Sequence, residues 1–480
     1  MISRPIANDA HPTDRRFLGV FVPTVYLQDE GIERVLDGLI AAGTRAIAIE
    51  PTIGRETAGS VGSRFPDLHV DGFERILDRP LWGHRELRLE TFSAYRPNLD
   101  RYPSGPYRPT YRPSPSSEVA TPDVVQGTIE EAHRRGLQVH LALHPFVIPD
   151  VRTQDLPITI SGDAGSGRRV AQTACLNSPA ARAYGLGLVR DVVAAFPQVD
   201  GLFLDWAEFG AYALDDLFSC FCTDCEHAAL ASSIRWDDVV RDVRATWDWS
   251  HRLTSHELRL LRRRMRRAGD VVAALAEAPG WLEFIRFKAR SVVRFYGDVR
   301  TALDQDGHSR VSLTARGWPP PWNLVSGMDY RSLARICEAV APKLFTFDFA
   351  ALPRWYGTAL KRWNPGLDEA EILDALVEVM ALPDAFAERT FPRYQIPAPD
   401  ELHPTDPIEY VDRIQEVFDQ VGGHAACYPI VHAYLPEPQW KRMVAIARDG
   451  PADGIWVQMY GYLSDRKLEI LRDVWAAGSR

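Results

Sequence analysis

Three cysteines in the hexapeptide Cys220-Phe221-Cys222-Thr223-Asp224-Cys225 are half of the six in the chain. Thiolates at C-x-C-x2-C spacing can converge on one soft or borderline metal ion. A tetrahedral zinc shell needs a fourth ligand, and Cys175 supplies it, with His227 as the substitute if Cys175 lies elsewhere. Cys337 and Cys427 read as core residues. Shortly before the cluster, the run Asp200-Gly201-Leu202-Phe203-Leu204-Asp205-Trp206-Ala207-Glu208 sets two carboxylates, Asp205 and Glu208, at the end of an apolar stretch. Paired carboxylates suit glycosyl chemistry, in which one acid protonates the leaving oxygen and the other serves as nucleophile or base.

The elements that must position these groups alternate along the chain. Short β-branched and aromatic runs predict strands at 17–24, 45–50, 137–144, 201–206, 310–316, 343–348, 425–432 and 454–460. Amphipathic stretches between them predict helices at 124–135, 180–196, 281–303, 330–340 and 467–475. Eight strand–helix units fit a closed parallel α/β fold, the (β/α)8 or TIM barrel, as one domain over residues 1–480. No G-x-G-x-x-G follows the first strand, which removes the reason to prefer a dinucleotide fold. Two connections are long: 54–136 after the second strand, and 209–280 after the fourth. Long connections in a compact domain usually carry function. The first holds a Tyr/Arg/Pro tract from Tyr95 to Pro113, which is either a stiff extended surface loop or a lid over the barrel mouth. The arginine-rich stretch 258–267 reads as the solvated face of a helix, with an anionic partner as the sharper reading.

In a barrel, polar residues at the carboxyl ends of the strands face the active site. Those ends are Glu50, His144, Asp205 with Glu208, Arg316, Asp348, His432, and Gln458 with Tyr460. Asp205, Glu208 and Asp348 are the candidate catalytic carboxylates. Glu50, His144, Trp206, Arg316, His432, Gln458 and Tyr460 are the candidate substrate-binding residues. Trp318, Trp322, Trp355 and Trp363, in or near the following loops, could stack on sugar rings alongside Trp206.

The segment 170–230 resembles the family 42 glycoside hydrolases, the bacterial β-galactosidases of the large retaining (β/α)8 clan. The matching residues are Cys175 with Asn177-Ser178-Pro179, the helix over 180–196, Glu208-Phe209-Gly210, and Cys220, Cys222 and Cys225. The resemblance implies that Glu208 is the general acid/base and that the four cysteines hold a structural zinc. The chain departs from that pattern at two places. Ala207 stands where the family has Asn, and the seventh strand ends in Ile430-Val431-His432 where the family places its nucleophilic glutamate. Some retaining α-glycosidase barrels instead use an aspartate ending the fourth strand as nucleophile and one near the sixth as acid/base, places that Asp205 and Asp348 occupy. Asp205 is favoured as the essential carboxylate, with the choice of partner between Glu208 and Asp348 left open.

Composition bounds the function class. Apolar content of 46% and charged content of 25% are ordinary for a globular protein, and a net charge of −9 argues against nucleic acid as the main partner. The polar stretch 1–16 carries no apolar signal core, and no run is long enough for a membrane helix, so the expectations are no membrane partner and a cytoplasmic location. A carbohydrate is the expected substrate, and self-association into a homo-oligomer stays open. Two other readings remain: a metal-dependent hydrolase or lyase built on His144, His432, Glu50 and Asp348, and a barrel that binds glycans without turnover.

Overall fold

The structure, a computed structural model, describes residues 16–58, 61–67, 75–102, 105–112, 123–164, 173–382, 388–404 and 407–477. Eight parallel strands close on one another: β1 (Phe17–Phe21), β2 (Ala46–Ile49), β3 (Gln138–Leu143), β4 (Gly201–Leu204), β5 (Ser312–Gly317), β6 (Ala339–Leu344), β7 in two pieces (Ala426–Cys427 and Ile430–His432) and β8 (Gly454–Gln458). Each strand pairs with the next in sequence, and β8 returns to β1 with Phe17 opposite Gly454. This is the (β/α)8 barrel that the strand–helix alternation predicts. The strands are buried almost throughout, which is why they read as continuous apolar runs instead of alternating ones.

The sixth strand differs from the sequence expectation. It runs over Ala339–Leu344 and not 343–348, and Thr346–Trp363 is already a helix. Pro342 lies inside the strand, where proline normally speaks against one, so the apolar run after it looked the better candidate. The consequence is chemical: Lys343, not Asp348, sits at the end of β6. The expected helix 330–340 shrinks to Tyr330–Leu333 for the same reason.

The described parts of the two long connections carry strands and helices of their own. The one after β2 opens with a three-stranded antiparallel sheet (Thr52–Thr57, Ser63–Phe65 and Leu87–Ser93). The described parts of its Tyr/Arg/Pro tract then pack along the outside of the barrel, and Pro103 and Pro113 lie outside the described residues. Tyr102 and Tyr107 are buried against Tyr184 of the helix Pro179–Ala195, and their hydroxyls donate to Asp191 and Asp155. The connection after β4 carries the helices Thr223–Ala231, Trp236–Ser250, Ser255–Met265 and Ala268–Glu277. Arg259, Arg262 and Arg266 of this excursion are ion-paired with Glu371, Asp374 and Glu378 of the helix Glu369–Val379. An intramolecular acidic helix therefore pairs with three of the six arginines in the basic stretch. Among the described residues no helix is long and apolar enough to cross a membrane.

Candidate active site at the barrel mouth

The hydrogen-bond ladder of β4 continues one residue past the strand, with the Asp205 N–H donating to the Leu143 carbonyl at 2.9 Å. Trp206 then adopts φ 58°, a left-handed conformation that a bulky residue rarely takes and that costs energy of order 1–3 kcal/mol. That reversal holds the Asp205 carboxylate at the strand end, where the Trp206 N–H donates to Oδ1 at 2.9 Å. The Lys343 ammonium lies 2.6 Å from Oδ1 and the Arg316 Nε 3.2 Å from Oδ2, while His144 Nε2 stands 4.0 Å from Oδ2. Burial alone would raise the Asp205 pKa, but Arg316, Lys343 and His144 outweigh it and hold the carboxyl well below the usual range. Asp205 is therefore ionised at any working pH.

Above it opens a cavity of about 240 Å³ at the carboxyl ends of the strands. Glu50, His144, Asp205, Arg316, His432 and Gln458 all border it, as the strand-end reading expects. The connection after β2 adds Phe65, Asp67 and Arg75, and the turn after β8 adds Tyr462. The volume lies below the ~300–1,000 Å³ of drug-sized pockets, so it suits one ring-sized ligand. The His432 ring is buried, and the Tyr434 N–H donates to its Nδ1 at 3.0 Å, which leaves the ring proton on Nε2. Burial, followed by the nearby cations, keeps this histidine neutral. The Gln458 Oε1 and the Tyr462 hydroxyl are buried without a hydrogen-bond partner among the described residues. Such groups cost stability until a ligand or water satisfies them.

Four expected site residues lie elsewhere. Glu208 is buried outside the cavity, with Oε1 on Lys343 at 3.2 Å and Oε2 accepting from the Trp318 N–H at 3.1 Å. Burial raises its pKa against those two interactions. Asp348 sits in the first turn of the helix Thr346–Trp363, where the Tyr212 hydroxyl donates to it at 3.3 Å, because β6 ends four residues earlier. Trp206 turns its ring to Lys343 and Tyr212. Tyr460 points outward, its hydroxyl donating to Glu30 and its ring under Arg79, because the short turn Tyr460–Tyr462 presents Tyr462 to the cavity instead. The expected stacking tryptophans also fill the wall: Trp318 packs on Tyr212 and Trp322, and Trp363 stacks on His251.

Lys343, Arg75, Asp67 and Tyr462 were not legible as site residues. Lys343 was hidden by the misplaced strand, although a strand-end lysine beside two strand-end carboxylates is a usable signal. Arg75 and Asp67 come from a connection with no periodicity to place them.

Cys175, Cys220, Cys222 and Cys225 come together as expected, all buried, with their sulfurs within 4.8 Å of one another. Cys175 Sγ lies 3.6 Å from Cys222 Sγ and 3.4 Å from Cys225 Sγ. Four thiolates at ~2.3 Å from one zinc would stand about 3.8 Å apart, so the quartet fits a tetrahedral ion after small adjustment. The Ile158 N–H points at Cys220 Sγ and the Asn177 N–H at Cys175 Sγ, as second-layer donors to thiolates do. Cys175 belongs to the connection after β3 and the other three to the connection after β4, so a metal here would tie those two loops together. Among the described residues this is the one group of three or more metal-type ligands in reach of each other. His144, His432, Glu50 and Asp348 do not form such a group.

No family model matches the sequence, and no curated protein sequence matches it. The solved structures that match include two β-galactosidases and a β-amylase catalytic domain. The β-galactosidase of the haloarchaeon Halorubrum lacusprofundi is 14% identical with a TM-score of 0.48, over 96% of this chain and 58% of its own. The β-galactosidase of psychrophilic Marinomonas ef1 is 10% identical with a TM-score of 0.45, over 92% of this chain and 54% of its own. The catalytic domain of β-amylase from Paenibacillus polymyxa is 9% identical with a TM-score of 0.48, over 98% and 99%. The chain thus spans little more than half the length of the two β-galactosidases. Membership of family 42 does not follow from likenesses at this level.

Proposed function

We propose that the protein is a glycoside hydrolase whose reacting carboxylate is Asp205. The observation that carries this reading is a buried carboxylate, kept ionised by Arg316 and Lys343, on the floor of a cavity of about 240 Å³ rimmed by hydrogen-bonding groups. Cleavage of a glycosidic bond develops positive charge at the anomeric carbon, and a fixed anion beneath that carbon stabilises it or attacks it directly. His432 Nε2–H, Gln458, Arg75 and Arg316 are donors for sugar hydroxyls, and the Gln458 Oε1 and Tyr462 hydroxyl need partners that a polyhydroxylated ring supplies. A proton for the leaving oxygen must come from a second acid at the cavity, and Glu50 and Asp67 are the two further carboxyls that line it. Glu208 and Asp348 have no route to the leaving group from where they lie. We further propose that the cysteine quartet holds structural zinc, which implies a reducing compartment such as the cytoplasm.

The test is hydrolysis of α- and β-configured 4-nitrophenyl glycosides by the wild type and by Asp205→Asn, with circular dichroism to confirm folding. Turnover by the wild type that falls about 1,000-fold or more in the variant supports the reading, since a positioned proton-transfer or nucleophilic group is worth at least ~10²–10⁴-fold. Full activity in Asp205→Asn sinks it. The ion pairs that occupy both Asp205 oxygens favour one second reading, a glycan-binding barrel, which saturable sugar binding without any turnover would establish.

A further inference from the structure

Lys343 lies between two buried carboxylates. Its ammonium is 2.6 Å from Asp205 Oδ1 and 3.2 Å from Glu208 Oε1, and its remaining side faces the Trp206 ring at 4.7 Å. An ammonium has three donors and no acceptor, so these three partners use its full capacity and leave none for a substrate. Glu208 is equally committed. Its second oxygen accepts from the Trp318 N–H, and Gly317 packs so closely that a Cβ there would come within 2.7 Å of Oε2. Two carboxylates three residues apart are thus joined through one cation, and only Asp205 borders the cavity.

We infer that Lys343 is a positioning residue for Asp205, and that Glu208 is the buried counter-charge of Lys343 that acts on the cavity only through it. The catalytic consequence rests on the reading of Asp205 as the reacting carboxylate; the electrostatic one does not. Lys343 on β6 holds Oδ1 at 2.6 Å, while Arg316 on β5 meets Oδ2 at 3.2 Å as an ion pair without hydrogen-bond geometry, so Lys343 is the firmer of the two partners. Without Glu208, the two buried cations would outnumber the single carboxylate. Glu208 restores neutrality where solvent cannot.

The groups that face Asp205 are few. His144 approaches from β3, Arg316 from β5, Lys343 from β6 and Glu208 from the same loop, with the phenols of Tyr212 and Tyr296 close by. Glu50, Asp67, Arg75 and His432 line the same cavity. Loss of Lys343 leaves Arg316 and His144 as the partners nearest the carboxylate, so its proton affinity must rise.

The test titrates Asp205 directly, in full-length protein labelled with ¹³C at aspartate side-chain carboxyls, with Asp205→Asn assigning the resonance. In the wild type the Asp205 signal stays ionised as far into acid as the fold survives. In Lys343→Met it titrates about 1–3 pH units higher, the displacement a close opposite charge produces, and Lys343→Arg restores the low value. If Lys343→Met does not fold, the double variant with Glu208→Gln removes one charge of each sign and is titrated instead. An unmoved Asp205 titration in the variant that folds overturns the inference.

Activity supplies the second arm. The acid limb of the rate profile on a 4-nitrophenyl glycoside moves up by the same interval in Lys343→Met. Glu208→Gln lowers kcat by no more than about tenfold, whereas loss of a true general acid costs ~10²–10⁴-fold. A loss of that larger size in folded Glu208→Gln overturns the counter-charge assignment. A wild type that hydrolyses none of the glycosides overturns the glycosidase reading, while the ¹³C titration still decides the role of Lys343.

Discussion

The two ends of the barrel handle buried polar groups in opposite ways. At the mouth, Asp205 and Glu208 are charged-type groups answered by Arg316 and Lys343 within about one bond length of contact distance. At the foot, a second cavity of about 450 Å³ opens among the strand beginnings, bordered by His140, Phe17, Tyr428 and Trp456. Small residues there (Ser312, Ala339 and Ala426) leave the space. His140 is buried to 7% exposure with neither ring nitrogen hydrogen-bonded among the described residues. Burial lowers its pKa to about 4, against a small opposing pull from Asp200, so the ring is neutral at working pH. Of the two ends, the foot has the larger cavity. Charge marks out the mouth: an ionised group is kept buried only where fixed partners balance it, and the proposed function rests on that group.

The largest effect that can break this comparison is the loss of the mouth anion. Asp205→Asn should lower turnover about 1,000-fold or more and also cost about 3–5 kcal/mol of stability, because Arg316 and Lys343 are left as uncompensated buried charges. Urea unfolding alongside steady-state kinetics measures both, and an undiminished unfolding midpoint would show the ion pairs to be loosely held. Next is the cysteine quartet, proposed to hold structural zinc. Cys225→Ser should lower bound metal from about one ion per chain to well below half, as expected when a closed four-ligand site loses a ligand. Elemental analysis checks the content, and proteolysis of the Cys175 and Cys220 loops, with the foot unaffected, checks that the metal serves the mouth.

Much of this was legible in the sequence, and the misses have physical causes. The barrel was readable because buried parallel strands leave continuous apolar runs and their helices leave amphipathic ones. The cysteine quartet was readable because three of its members share the C-x-C-x2-C spacing that brings thiols together. Glu50, His144, Asp205, Arg316, His432 and Gln458 reach the cavity because strand ends face it whatever the loops do. Asp348 lies off the strand end because Pro342 disguised the true β6 and moved the expected strand end by four residues. Glu208 and Tyr460 do not border the cavity because direction after a strand end depends on turn geometry, such as the left-handed Trp206, that residue type does not reveal. Arg75 and Asp67 reach the mouth from a connection whose fold is set by tertiary packing.

A smaller effect sharpens the contrast at the foot through pH. The folded pKa of His140 is about 4 against an ordinary 6.5, so between those values the unfolded chain binds a proton that the native ring refuses. Stability is therefore lost as pH falls from 6.5 to 4, by about 3 kcal/mol for this one group. Asp205 acts in a separate window: its depressed pKa stabilises the fold above the ordinary aspartate range and is lost only in stronger acid. His403 and His432 are also buried neutral and share the His140 window. The difference between wild type and His140→Leu isolates one of them: the variant should lose about 3 kcal/mol less between pH 6.5 and 4 in urea titrations. An equal acid slope in both proteins would mean that the ring is protonated in place.

The smallest effect lies away from both ends and tests whether burial, not pairing itself, separates them. Arg262 pairs with Asp374 at 3.1 Å and with Glu378 at 2.7 Å, distances like those around Asp205, but its side chain is 30% exposed. Water and salt screen such a pair, and the entropy of fixing a long side chain offsets most of what remains. Arg262→Ala should therefore change stability by only about 0–1 kcal/mol, with the difference shrinking further in 0.5 M salt, roughly five times the ~0.1 M at which the screening length is ~10 Å. The cost of Asp205→Asn should persist in the same salt, because ions do not reach the floor of the mouth. A salt-insensitive loss of several kcal/mol at Arg262 would show that similar geometry is worth the same wherever it occurs, and would remove burial as the reason the mouth anion is special.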